Sequence, residues 1–197
     1  MWALDKMGDD VGKITIDPLE VTHPVPFDDK GMPQQDDKFN CATKFKVRCT
    51  FADGKEMMVR NSADDLGFEN GIMFEGSNGR FLVNRGKIVG RPVENLKDNP
   101  LPSDTLAKLY PYDPMKTDGF GQDGFHMKDF MECIKSRRQT TSDMLSHHRM
   151  LNVCHAINVA MRLNRKVVYD PKAENFGDDA VANSFVEREQ RKGFEIS

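Results

Sequence analysis

Between residues 44 and 51 the chain alternates with period two, Phe45, Val47, Cys49 and Phe51 against Lys44, Lys46, Arg48 and Thr50. That alternation predicts a strand with one face in a core and the other in water. Asp53-Gly54 supplies the positive φ angles of a tight turn, and residues 55–60 run back as an antiparallel partner. Upstream, Lys13-Ile14-Thr15-Ile16-Asp17 predicts a short strand stopped by Pro18, and residues 20–25 a second one. The Pro/Asp/Gly/Gln-rich stretch that follows, to Asp37, reads as an exposed and mobile loop. Residues 72–75, 80–84 and 87–89, punctuated by Gly76-Ser77-Asn78-Gly79 and Arg85-Gly86, extend this into an antiparallel meander.

The period then changes. After a long Pro/Gly/Asp-rich connection over residues 91–123, with one helical turn expected at 103–108, Met127, Phe130, Met131 and Ile134 fall at the spacing of one helix face. That helix ends in the basic run Ser136-Arg137-Arg138, suited to the negative end of its dipole. Thr141 or Ser142 caps a second helix with Asp143 in its first turn. Its apolar positions run from Met144 through Leu151, Cys154, Ile157, Met161 and Leu163, and Val153, Ala156, Val159 and Ala160 broaden the stripe. This helix is expected at the centre of the core, with little of its C-terminal half wet. Residues 166–169 form a last strand before Asp170-Pro171, and a polar tail follows with a short helix near 178–188. The opening Trp2-Ala3-Leu4 reads as the last turn of a helix, so the chain begins mid-element. The pattern is α+β: a largely antiparallel open-faced sheet with two main amphipathic helices on one face, over residues 1–173, and a tail over 174–197.

Composition narrows the function classes. A net charge of -3 with 30% charged and 38% hydrophobic residues describes an ordinary globular protein, and no Lys/Arg tract tracks a phosphate backbone. Nucleic acid is not an expected partner. No apolar run approaches the ~18 residues of a membrane span, nor is there a secretory leader; a cytoplasmic location follows as the expectation. Cys41, Cys49, Cys133 and Cys154 lack disulfide density or zinc spacing and read as buried free thiols.

Gly119-Phe120-Gly121-Gln122-Asp123-Gly124 matches the dinucleotide fingerprint, but Tyr112-Asp113-Pro114-Met115-Lys116-Thr117-Asp118 before it is no buried strand. Another helix rather than a strand follows, so the loop reads as a glycine-rich connection, and no cofactor is expected to bind this chain alone. His147, His148 and His155 lie on the central helix, yet no HExxH or comparable set accompanies them, and no metal is expected. Ser103-Asp104 and Ser142-Asp143 are caps, with no histidine placed to activate either serine. No catalytic residue is assigned. Tyr112, His126, His148 and His155, polar side chains beside core elements, are the substrate-side candidates.

The chain resembles, nearly end to end, the C-terminal domain of the Gfo/Idh/MocA family of NAD(P)-dependent oxidoreductases in its bacterial type. The resemblance is carried by Trp2-Ala3-Leu4, by residues 39–45 (FNCATKF) and by residues 70–86 (NGIMFEGSNGRFLVNRG). Ser142-Asp143, His148-Arg149, Val153-Cys154-His155, Asn158, Ala160, Arg162-Leu163 and the strand before Pro171 complete it. The resemblance implies a substrate-side and oligomerisation domain, with NAD or NADP held by an N-terminal Rossmann domain that this chain lacks. It also implies a sugar, polyol or similar small hydroxylated substrate. The cofactor fingerprint and the Glu-Lys-Pro lysine of such enzymes belong to that other domain, so this chain alone should be inactive. A homo-oligomer is expected through the open sheet face, where Lys46 stands opposite the Met57/Val59 set. The alternative is a stand-alone binding or assembly module of the same fold.

Overall fold

The structure is a computed structural model that describes residues 4–6, 11–35, 37–67, 70–84, 87–105 and 124–195. Its elements confirm the α+β class. They fall into two compact units, residues 1–62 with 144–197 and residues 63–143.

The first unit is built on a four-stranded antiparallel sheet. Strands β1 (Ile14–Thr22), β2 (Lys44–Thr50), β3 (Glu56–Arg60) and β7 (Val167–Tyr169) stand in the order β3-β2-β1-β7. Ile16 lies beside Cys49, and Cys49 beside Met57, so the alternation in each strand sums to one apolar face. Helix α3 (Met144–Leu163) lies across that face and meets β1, β2 and β7. Ile14, Ile16, Val47, Cys49, Val153, Ala156, Ala160 and Val167 are all buried there. The helix ends where Asn164 takes a left-handed φ of 47°, its N–H donating to the Met161 carbonyl.

Four sequence expectations change here. Pro18 does not stop β1: Pro18 faces Val47 and Glu20 faces Lys46, leaving Leu19 as the extra residue of a bulge. A bulge is where a strand tolerates a residue without an N–H. The loop after β1 is pinned rather than loose. Arg162 donates Nε–H to the Gly31 carbonyl at 3.0 Å and lies 5.2 Å from the Phe27 ring and 5.5 Å from that of Phe185. Both ring nitrogens of His23 face carbonyls, those of Asn40 and Met161. Met57 and Val59 sit on the core side with Val47, so the outer face is a different set: Thr15, Asp17, Lys46, Arg48, Thr50, Met58 and Val168. Arg48 reaches Asp17 at 3.1 Å and Glu56 at 3.9 Å, and Lys166 reaches Asp17 at 3.6 Å. Finally, Cys49 and Cys133 are buried free thiols, whereas Cys41 and Cys154 are exposed. Burial pushes the Cys49 thiol up to about 12, with Cys154 adding to the shift.

After β7 the chain stays with the core. Phe176 and Ala182 are buried, and the Phe176 ring lies 5.4 Å from that of Tyr169. Asp179 caps α4 (Ala180–Asn183) and holds Arg165 through two bonds of 2.7 and 2.8 Å.

The second unit carries a separate three-stranded antiparallel sheet, β4 (Ile72–Gly76), β5 (Gly79–Asn84) and β6 (Lys87–Gly90), so the expected single meander is two sheets. A short helix, α1 (Arg91–Glu94), and a 3-10 turn (Asn95–Lys97) follow, which no periodicity announced. The helical turn expected at 103–108 lies largely outside the described residues. Gly90 has φ 135°, and a Cβ there would stand 2.4 Å from the Arg80 carbonyl oxygen and 2.6 Å from Phe81 Cα. Gly90→Ala is therefore expected to cost this sheet about 2 kcal/mol, read as faster amide exchange along β5; unchanged exchange would contradict the close approach.

Helix α2 (Gly124–Ser136) belongs to this unit, and its apolar stripe is not core: Met127, Phe130, Met131 and Ile134 are each 45–58% exposed. Among the described residues of α2, Cys133 and the charged Asp129 are buried. The Asp129 carboxylate accepts from Arg138 Nη2 at 2.7 Å and from the Thr141 N–H at 2.8 Å, which closes the turn after the helix. Among the described residues no helix is long and apolar enough to cross a membrane.

Candidate functional site

Helix α3 presents two different faces because steps of three and four residues return to the same side of a 3.6-residue helix. Val153, Ala156, Ile157 and Ala160 meet the sheet, and His148, Leu151, His155 and Asn158 are left exposed. The C-terminal half of the helix is thus wetter than its composition suggested, with Cys154, His155 and Asn158 in solvent.

His148 is the best defined group on that face. Its Nε2 lies 2.7 Å from Glu174 Oε1 and 3.0 Å from the Asn152 amide nitrogen. Glu174 arrives from the turn after β7. There the Asp170 side chain accepts from the Lys172 and Ala173 N–H groups, and the Asp170 N–H donates to the Asn175 carbonyl. Glu174 itself takes a φ of 54°, an uncommon conformation for a residue with a side chain. Asn152 reaches inward to the hydroxyl of Tyr169, a residue 4% exposed whose pKa is pushed up by burial and by the Glu174 charge, against the Asn152 hydrogen bond. The cluster therefore runs from a phenol buried in the core to a histidine–carboxylate hydrogen bond at the surface.

Of the substrate-side candidates, His148 and His155 share this face of α3. His126 is exposed in the first turn of α2, in the other unit, and Tyr112 lies outside the described residues, as does most of the Gly119–Gly124 motif. Sequence reasoning missed Glu174, Asn152 and Tyr169. Glu174 stands 26 residues from His148 in a segment read as tail, so no spacing could announce the pair. Among the described residues no group of three or more His, Cys, Asp or Glu side chains is placed to hold a metal ion.

A family model described as the C-terminal alpha/beta domain of an oxidoreductase family matches residues 2–196. The chain belongs to the Gfo/Idh/MocA family. Comparison with curated proteins and with solved structures finds no match. The Gfo/Idh/MocA match covers the sheet, the long helix and the Glu174 turn alike, so the candidate site is part of the family domain rather than an appendage.

Proposed function

We propose that this domain is the substrate-side and assembly half of an NAD(P)-dependent oxidoreductase acting on a sugar, polyol or related hydroxylated compound, the nicotinamide being held by a separate Rossmann domain. The observation that carries the reading is the near-complete match to the family's C-terminal domain alone. Hydride transfer needs cofactor and substrate held against one another, so the domain alone is inactive. Its free thiols agree with a reducing, cytoplasmic setting. Calorimetry with NAD(H) and NADP(H) tests this: no binding to the domain alone and binding with turnover once a family Rossmann domain is added are expected. Tight binding to the isolated domain would overturn the reading.

The assembly surface in this proposal is the outer face of the four-stranded sheet, where Met58 (41% exposed) and Val168 (44%) sit among the Asp17–Arg48–Glu56 ion pairs. Met58→Glu puts a carboxylate across from Arg48 in the middle of this face, a charge that an interface would have to desolvate, and is expected to turn a dimer into a monomer by sedimentation equilibrium. A wild-type monomer at high concentration would remove the assembly role.

A further inference from the structure

We propose that His23 is a proton-operated clasp. Its protonated ring ties the entry of β2 to the end of α3 through two backbone carbonyls, and loss of the proton releases the β2 side. His23 stands, partly buried, where the chain leaves β1. Its Nε2 lies 3.2 Å from the Met161 carbonyl oxygen, in the last turn of α3, and its Nδ1 lies 3.4 Å from that of Asn40, just before β2. A backbone carbonyl can only accept a hydrogen bond. A neutral imidazole has one N–H and one lone pair, so it serves one of these oxygens and turns a lone pair toward the other. The imidazolium ring has two N–H groups and serves both.

The surroundings decide which oxygen the neutral ring keeps. Met161 is the nearer, and its carbonyl is among those left over at a helix C-terminus, where the helix dipole is negative. The Asn164 N–H shares that oxygen at 3.2 Å. The neutral ring therefore keeps Nε2–H on Met161 and sets its Nδ1 lone pair against Asn40. Among the described residues no carboxylate pairs with the ring. Phe27 stacks on it with centroids 4.2 Å apart, and the Arg162 guanidinium lies 5.2 Å from that same Phe27 ring, a positive charge from α3 that opposes the imidazolium. In the loop, Asp28 Oδ1 accepts from the Lys30 and Met32 N–H groups, and on β2 Lys44, across from Thr22, is paired with Glu20. The charged ring is thus held by two carbonyls and a helix end. Thr22, next to His23, accepts from the Thr43 N–H at 2.9 Å and from the Thr43 hydroxyl at 3.2 Å, so Thr43 stands between the clasp and the β1–β2 ladder. As pH rises and the proton leaves, the bond to Asn40 is lost and the segment from Asn40 to Thr43 loosens. Arg162, bonded to the Gly31 carbonyl, still holds the rest of the loop.

The test follows the full chain, isotope-labelled, from about pH 8 to about pH 5, across the range in which histidines change charge. It reads the His23 ring nitrogens, the Asn40 carbonyl carbon, and amide exchange at Thr43 corrected for intrinsic rates and referred to the β1–β2 ladder. Expected are a neutral ring protonated on Nε2, an Asn40 carbonyl resonance that moves as the ring gains its second proton, and exchange at Thr43 that slows about tenfold toward acid. His23→Gln keeps one donor for Met161 and carries no titrating ring, so Thr43 exchange should stay flat over the same range. An Asn40 carbonyl that ignores the ring's titration overturns the clasp, and this is read in the native chain whether or not the variant folds. A pH dependence at Thr43 that survives in His23→Gln overturns it too, since another group would then be the source. So does a neutral ring protonated on Nδ1, because the bond it kept would be the one to Asn40.

Discussion

Ile16→Ala is expected to cost the first unit about 3 kcal/mol, within the usual range for truncating a core isoleucine. Ile16 is fully buried, flanked by Cys49 on one side and Val167 on the other, with α3 across the apolar face. Both neighbouring strands are fixed by their ladders, so the space left by the lost carbons cannot collapse, and a cavity term adds to the lost transfer energy. For a chain of this size the melting temperature should fall by roughly 6–12 °C. Near-ultraviolet circular dichroism of the buried Tyr169 reports this unit. A loss below about 1 kcal/mol would mean that strands and helix are not close-packed at this point.

Asp129→Ala should disrupt the second unit to a similar extent, by about 2–4 kcal/mol, since it removes the acceptor for Arg138 and for the Thr141 N–H together. The same group makes stability depend on acid. Burial alone would raise the Asp129 pKa, but the Thr141 N–H and the Arg138 guanidinium, with the Thr141 hydroxyl, more than offset it and hold the carboxyl below its usual range. A native pKa below the unfolded one gives stability that is complete above about pH 4, the unfolded value, and is lost as pH falls through the native one. Amide exchange at Thr141 should therefore accelerate on acidification in the wild type, and Asp129→Asn should flatten that dependence. Exchange at Thr141 independent of pH below about 4, after correction for intrinsic rates, would contradict the assignment.

How much of this was legible in the sequence depends on the range of the interactions involved. The alternation from Lys44 to Phe51 and the turn at Gly54 are local, and β2, β3 and their register follow from them. The helix periods were equally local, and α2 and α3 begin and end within a few residues of the expected places. What the pattern could not tell was which apolar stripe is covered. Met127, Phe130, Met131 and Ile134 have the period of a core face and are exposed, whereas Asp129 in their midst is buried because Arg138 and Thr141 satisfy it. The site was half visible. His148 and His155 stood out as polar residues on an apolar helix, but Glu174 is joined to His148 only by the way the chain turns back after β7. The family resemblance, which rests on the order of many segments rather than any one motif, was the most readable feature and is the one that the whole-chain match confirms.

The pairing of β1 with β7 joins Ile14 to Tyr169, so the sheet cannot be completed until the chain has been made as far as residue 169. Val47 and Cys49 leave the ribosome about 100 residues before the helix that covers them, and Ile14 and Ile16 earlier still. At the usual pace of about 5–20 residues per second this is an interval of roughly 5–20 s. During that time the growing chain carries a hairpin with one bare apolar face and an unpaired β1 edge. Its yield in the cell should therefore follow the supply of chaperones that bind nascent chains, and synonymous codons that slow synthesis between Arg60 and Val153 would lengthen the hazard without altering a single contact in the finished fold.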